Sequence, residues 1–324
     1  MKILYFIGNG FDINLGMKTR YPDFYEQYKT IASKSELIKQ LKEEIANGIV
    51  NWSDLELAFG KYTVKLKNIE EFDEVYEDVV DNLADYLISE EEKFDFKNVK
   101  KESFFKNLSA PESFLTDEDI QEFREYKSQW KNTAWNINII TLNYTTSIEK
   151  ILGDNLSNFE IGLHDQHQII FRNIHHIHGY KDKRTVLGVN DISQIDKVDF
   201  HENEEILEAL IKTKCNRVQR HNIDKICESN INEANLICIF GSSIGDTDNY
   251  WWQLIGEQLR KNSKIIIFSK GEDIKERFAQ KAVREKRSIK KLFLNKTNLS
   301  QEEKNQFQEN IYVGINTRMF NIKS

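Results

Sequence analysis

Five short runs rich in β-branched and aromatic residues constrain this chain most: residues 3–7, 137–142, 169–177, 236–240 and 264–268. Most stop at Gly, Asn or Ser, which reads as a strand ending in a turn. Nearly continuous apolar runs of this length suit strands covered on both faces, as in a parallel sheet flanked by helices. Residues 311–319, IYVGINTRM, read as a sixth strand, and 185–189 as a further short one.

Between Pro22 and Trp135 the character changes and no strand is expected. Charged amphipathic segments take over: SELIKQLKEEIA from Ser35, WSDLELAFGKYTVKLK from Trp52, EEFDEVYEDVVDNLADYLISEEE from Glu70 and TDEDIQEFREYKSQW from Thr116. The third spaces Phe72, Val75, Tyr76, Val79, Val80, Leu83, Tyr86 and Leu87 as one helical face. The fourth opens on Thr116 as a cap with an acidic first turn. Residues 22–134 therefore read as a helical insertion into an α/β domain. A second helical stretch is expected at about 200–232.

The composition narrows the function classes. Of 324 residues 40% are hydrophobic and 30% charged, a globular profile, with net charge −7 and pI near 5.7. An acidic chain is a poor match for non-specific nucleic-acid binding. The basic stretch 274–296 leaves nucleic acid open, although its plainer reading is a solvated helix face. Cys215, Cys227 and Cys238 lie far apart with no C-x-x-C pair, which suits a reducing compartment and offers no zinc ribbon. The apolar run before Gly8 is too short for a signal-peptide core, and no stretch reaches a membrane span. The chain reads as cytoplasmic, with no membrane partner.

Four motifs follow strands directly. In ILYFIGNGFD, Gly8-Asn9-Gly10 and then Phe11 and Asp12 form a turn of the kind that aims backbone N–H groups at a phosphate. The dehydrogenase pattern G-x-G-x-x-G lacks its third glycine, since position 13 is Ile, and the second strand it needs is replaced by helical YPDFYEQYKT. In ITLNYTTSIE, Asn143 ends a strand, where it either contacts a ribose hydroxyl or water or caps the next helix. In IHHIHGYKDKRTVLGVND, His178 ends a strand as a candidate proton acceptor. His164, His167, His175 and His176 crowd near it, but their spacing is too loose to make a metal site the expectation. In IFGSSIGDTDNYWW, Gly241, Ser242 and Ser243 can line a nucleotide. Asp246 and Asp248 sit at a helix start on the same edge, while Trp251 and Trp252 read as core or interface. In a parallel sheet all four motifs converge on one crevice at the strand carboxyl ends.

Taken together, YFIGNGFDINLGMKTRYPDF, NWSDLE, TLNYTTSIE, HIHGYKD with VLGVND, and IFGSSIGDTDNYWW resemble the bacteriophage abortive-infection AbiH family over most of the chain. More remotely the chain is similar to sirtuin-like NAD-binding proteins, which have a Gly-Ala-Gly-Ile-Ser turn leading to Pro-Asp-Phe, then Gln-Asn-Ile-Asp, His-Gly and Gly-Thr-Ser. The matching positions, in the same order, are Gly8-Asn9-Gly10 leading to Pro22-Asp23-Phe24, Leu142–Thr145, His178-Gly179 and Gly241-Ser242-Ser243. Departures are the missing zinc-ribbon cysteines, Phe11 and Asp12 where small residues are usual, and Thr145 in place of an Asp.

The resemblance implies an α/β, Rossmann-like three-layer fold with a mainly parallel, sirtuin-like sheet and a large helical insertion. Residues 1–21 and 135–270 would form the nucleotide-binding core, 22–134 the insertion, and 271–324 a basic helix and final strand packed on that core. It implies an anti-phage protein that binds NAD or a related nucleotide, without metal, and hydrolyses the nicotinamide–ribose bond. Carried over by position, Asn143 and His178 would act on the ribose or its attacking water. Asp12, a departure from the sirtuin pattern just beyond the glycines, is a further catalytic candidate that would stabilise the cationic ribose or bind its hydroxyls. Gly8, Asn9, Gly10, Phe11, Gly241, Ser242, Ser243, Asp246 and Asp248 would hold the nucleotide. Glu56 of WSDLE is either a lid residue over the pocket or an exposed helix carboxylate. A phage-derived trigger and further copies of the chain are the other expected partners. The competing expectations are a metal-dependent nuclease or phosphoesterase built on His176, His178 and Asp191 or Asp246, and a nucleotide sensor without catalysis.

Overall fold

Strand β1 (Lys2–Ile7), buried from its second residue onward, lies at the centre of a seven-stranded sheet. A computed structural model describes residues 1–180, 183–219 and 221–323. Lys181 and Asp182 of the His178 motif fall outside the described residues. The other strands are β2 (Trp135–Thr141), β3 (Phe159–His164), β4 (His167–His176), β5 (Leu236–Phe240), β6 (Lys264–Ser269) and β7 (Ile311–Ile315). They lie in the order β3-β4-β2-β1-β5-β6-β7. Every pair is parallel except β3–β4, an antiparallel edge hairpin. The chain adds β2 and β4 on one side of β1, then crosses to add β5, β6 and β7 on the other. The order in which strands are added therefore reverses between β1 and β5, where the chain connections diverge at the carboxyl ends of an open α/β sheet and leave a crevice.

The expected strands form, with three adjustments. Strand β7 stops at Ile315 instead of running to Met319, because Asn316 turns the chain with φ 50°. Residues 185–189 contribute one isolated bridge, Val189 to Ile211, and no strand. Strand β3 was not expected: it is a partly exposed edge strand containing Gly162, so it lacks the apolar run of its inner neighbours.

Helices α1 (Gly10–Asn14), α2 (Tyr21–Tyr28), α3 (Glu36–Asn47), α4 (Leu55–Tyr62), α5 (Ile69–Lys93), α6 (Lys101–Ser109) and α7 (Asp117–Ser128) separate β1 from β2. Ser35, Asp54, Asn68 and Thr116 cap α3, α4, α5 and α7 by accepting from backbone N–H groups. Helix α8 (Ser147–Leu152) follows β2. Helices α9 (Glu204–Leu210), α10 (Lys212–Val218) and α11 (Ile223–Glu233) precede β5. After it come α12 (Asn249–Glu257), α13 (Ala279–Asn295) and α14 (Gln301–Phe307). None of the described helices is long and apolar enough to cross a membrane.

The apolar side chains fall into three groups. Tyr5, Ile137, Ile139 and Cys238 pack one sheet face against α1, α6, α7 and α8. Leu4, Phe6, Ile237, Ile239 and Ile265 pack the other against α11, α12 and α13, with Trp251 and Trp252 fully inside. Helices α2 to α5 join the segment 187–211 in a third core, and Phe72, Val75, Val79, Leu83, Tyr86 and Leu87 supply its α5 face. Residues 22–134 thus divide: α2 to α5 build a cap, whereas α6 and α7 cover the sheet. All three cysteines are free and buried. The basic residues of 274–296 are mostly exposed along α13, which buries only Phe293 and Leu294.

Candidate functional site

Each parallel strand delivers a residue at or just past its carboxyl end to a single cleft of about 1100 Å³. They are Gly8 after β1, Asn143 after β2, His178 after β4, Gly241 after β5, Ser269 of β6 and Asn316 after β7. The cap closes over them through Tyr21, Pro22, Asp54, Glu56, Leu83 and Leu87. The four strand-end motifs therefore converge, as a parallel sheet requires.

The glycine turn is built differently from a bare phosphate cradle. Gly8 N–H donates to the Phe240 carbonyl at 2.9 Å, and Gly10 N–H donates to the Gly241 carbonyl at 2.7 Å. These two amides are used in joining the β1 turn to the β5 turn. A Cβ on Gly10 would lie 2.4 Å from Gly241 Cα, so glycine is required there by backbone contact. Asn9 also works internally: its Nδ2 donates to the Thr19 carbonyl at 2.7 Å, and Thr19 Oγ1 donates back to Asn9 Oδ1 at 2.6 Å. That exchange holds Arg20 and Tyr21 at the cleft wall.

Two residues of the expected nucleotide set stand apart from the cleft. Phe11 is fully buried among Phe104, Phe240 and Phe320. Asp246 is exposed and paired with Lys296 on the outer surface. Gly8, Asn9, Gly10, Gly241, Ser242, Ser243 and Asp248 line it, as do Asp12, Asn143 and His178.

Asp12 is 1% exposed. Its Oδ2 accepts from Thr145 Oγ1 at 2.6 Å and from Asn143 Nδ2 at 3.3 Å, and its Oδ1 accepts from Ser147 Oγ. Burial pushes its carboxyl up to about 6, against the lowering effect of the two hydroxyl donors. A carboxylate can only accept, so it fixes the Asn143 amide with Nδ2 inward. Asn143 Oδ1 is then left buried with no partner among the described residues.

His178, 2% exposed, bonds through Nε2 to Asp248 Oδ1 at 2.8 Å. Its Nδ1 is buried and has no partner among the described residues. Behind Asp248 lies a chain of charges absent from the sequence expectation. Lys212 Nζ of α10 donates to Asp248 Oδ1 at 2.9 Å and to Glu56 Oε2 of α4 at 2.7 Å. Tyr144 then donates its hydroxyl to Glu56 Oε1 at 2.9 Å. Burial opposes charge on both Asp248 and Lys212, but their mutual attraction wins. The carboxyl is held far below its usual range and the ammonium raised above its own. Glu56 is thus a buried cleft residue, not an exposed helix carboxylate.

The metal-dependent alternative needed His176, His178 and Asp191 or Asp246 together, and the structure separates them. His176 bonds to Glu149 and to the Asn143 carbonyl, and Asp191 accepts from Ser193 to start a 3-10 turn. Among the described residues no group of three or more His, Cys, Asp or Glu side chains is arranged to hold a metal ion.

A cleft with two buried polar atoms unpartnered among the described residues, a carboxylate ringed by donors and a histidine backed by a carboxylate suits a polar ligand that forms hydrogen bonds. Arg20 and Lys270, exposed at its rim and in no ion pair among the described residues, offer countercharge for phosphate. The chain matches the family model described as bacteriophage abortive infection AbiH over residues 4–270, from β1 to just past β6. No curated protein matches it.

Proposed function

The chain belongs to the bacteriophage abortive infection AbiH family, and from that premise we propose an anti-phage protein whose cleft binds NAD or a related nucleotide and hydrolyses its nicotinamide–ribose bond. The observation that carries the reading is the pair of unpartnered buried atoms, Asn143 Oδ1 and His178 Nδ1, on residues lining one cleft. A ligand that reaches these atoms can supply what they lack among the described residues, and a ribose with its attacking water has hydroxyl protons to give.

The core around the cleft is Rossmann-like in this reading, since leaving aside the edge strand β3 its order follows the doubly wound pattern with a switch between β1 and β5. The dinucleotide lies across that switch. Arg20 and Lys270 face its pyrophosphate. Asn143 Oδ1 accepts from a ribose hydroxyl or from water. Asp12 stabilises the oxocarbenium-like ribose, as carboxylates do in other glycosidic cleavages. The C1′–N bond breaks and its electron pair leaves with nicotinamide. Water adds to C1′ and gives its proton to His178 Nδ1, which passes it to solvent. Such a general base is worth roughly 10²–10⁴-fold. Loss of NAD in an infected cell stops phage growth, and a phage-derived trigger releases the activity.

The test is nicotinamide release from NAD by the full chain, in buffer and with lysate of phage-infected cells as the trigger source. Release by the wild type that falls at least a hundredfold in His178→Ala supports the reading. No release by the wild type under either condition overturns it.

A further inference from the structure

We propose that Asp248, braced by Lys212 and Glu56, is a positioning residue that holds His178 in the tautomer with its proton on Nε2, leaving Nδ1 free to accept. The inference deepens the hydrolase reading and rests on it for its kinetic consequence only. Asp248 Oδ1 lies 2.8 Å from His178 Nε2 and 2.9 Å from Lys212 Nζ. An ionised carboxylate has no proton to give, so the ring nitrogen facing it must be the donor. The ring's remaining nitrogen, Nδ1, is the one with no partner among the described residues.

The bracing comes from three separate parts of the fold. Asp248 ends the 3-10 turn that leads into α12, Lys212 sits on α10 and Glu56 on cap helix α4. Lys212 is 4% exposed, and its cation is shared by both carboxylates at 2.7 and 2.9 Å. With that cation in place Asp248 stays ionised although burial works against it. Tyr144, one residue beyond Asn143, fixes the far end by donating to Glu56. The chain His178–Asp248–Lys212–Glu56–Tyr144 therefore couples the orientation of the histidine to the docking of the cap.

Nitrogen-15 spectra of the histidine-labelled full chain at pH 8 read the tautomer directly, because protonated and unprotonated ring nitrogens resonate far apart. His178 is assigned by its loss in His178→Gln. The expected wild-type result is a protonated Nε2 and a bare Nδ1; a protonated Nδ1 overturns the proposal without any further variant. Asp248→Asn turns an obligate acceptor into a group that can donate. It is expected to move the ring toward the Nδ1–H form and to lower kcat for nicotinamide release about 10²–10⁴-fold with little change in KM. Unchanged spectra and unchanged kcat in a folded Asp248→Asn overturn the proposal. If the wild type shows the expected tautomer and Asp248→Asn shifts it, but neither hydrolyses NAD, the positioning stands and the substrate reading falls.

Discussion

Gly10 donates its N–H to the carbonyl of Gly241 at 2.7 Å, so the turns after β1 and β5 are joined backbone to backbone at the floor of the cleft. Gly241 has φ +67°, and a Cβ there would stand 2.7 Å from Gly10 Cα. Alanine at either position meets backbone, which cannot swing away as a side chain can. Gly10→Ala and Gly241→Ala are each expected to cost about 1–3 kcal/mol of stability, measured by denaturant unfolding. Gly48, beyond α3, meets no atom closer than 3.4 Å and serves as the tolerant control.

That contact also explains what could be read in advance. Asn143 and His178 were legible because they lie just past strand ends, and Asp12 because it sits in the short helix that follows β1 directly. A parallel sheet brings these ends together whatever the intervening chain does. The glycines were legible as a turn, but the partner that consumes their amides is the β5 turn more than two hundred residues away. Asp246 and Asp248 are indistinguishable as letters of GDTDN. A 3-10 turn sends one outward to Lys296 and the other inward to His178. Lys212 gave no signal at all, since a lysine on a short helix is ordinarily solvated. Only the docking of α4 against α10 makes it the shared counterion. Strand β3 escaped because an exposed edge needs no apolar run.

Lys212 is the cation of a buried pair of carboxylates, and its removal strands both. Lys212→Met is expected to destabilise the fold by about 3–5 kcal/mol. Arg260→Gln, which breaks the exposed Arg260–Glu303 pair, should leave the unfolding midpoint close to wild type. Thermal unfolding of the two variants side by side checks the contrast.

Asp12 titrates at about 6 in the fold against 3.8 in the unfolded chain. The folded state binds this proton more tightly, so the group's unfavourable contribution is fully present above pH 6. It is relieved as pH falls through 6 and stops changing below the unfolded value. The span corresponds to roughly 2–3 kcal/mol. Asp12→Asn is expected to lose this pH-dependent gain between pH 7 and 4, so the difference in stability between wild type and variant should depend on pH in that window. A pH-independent difference would place the Asp12 titration elsewhere.

The same titration bears on the cleft. Once protonated, Asp12 can donate to the Asn143 amide and no longer fixes Oδ1 as the free acceptor. NAD affinity, measured by calorimetry, is expected to weaken below pH 6 in the wild type. In Asn143→Ala it should be weak throughout, with no such inflection.

On the proposed function, a nicotinamide dinucleotide occupies the cleft between the β1 turn and the cap. Crystals of the full-length His178→Ala variant soaked with NAD test it most directly, because the substrate should bind and persist. The expected result is density for the dinucleotide over residues 8–12, with a ribose hydroxyl against Asn143 Oδ1 and the pyrophosphate toward Arg20 and Lys270. An empty cleft at saturating NAD, or NAD bound away from Asn143, would contradict it.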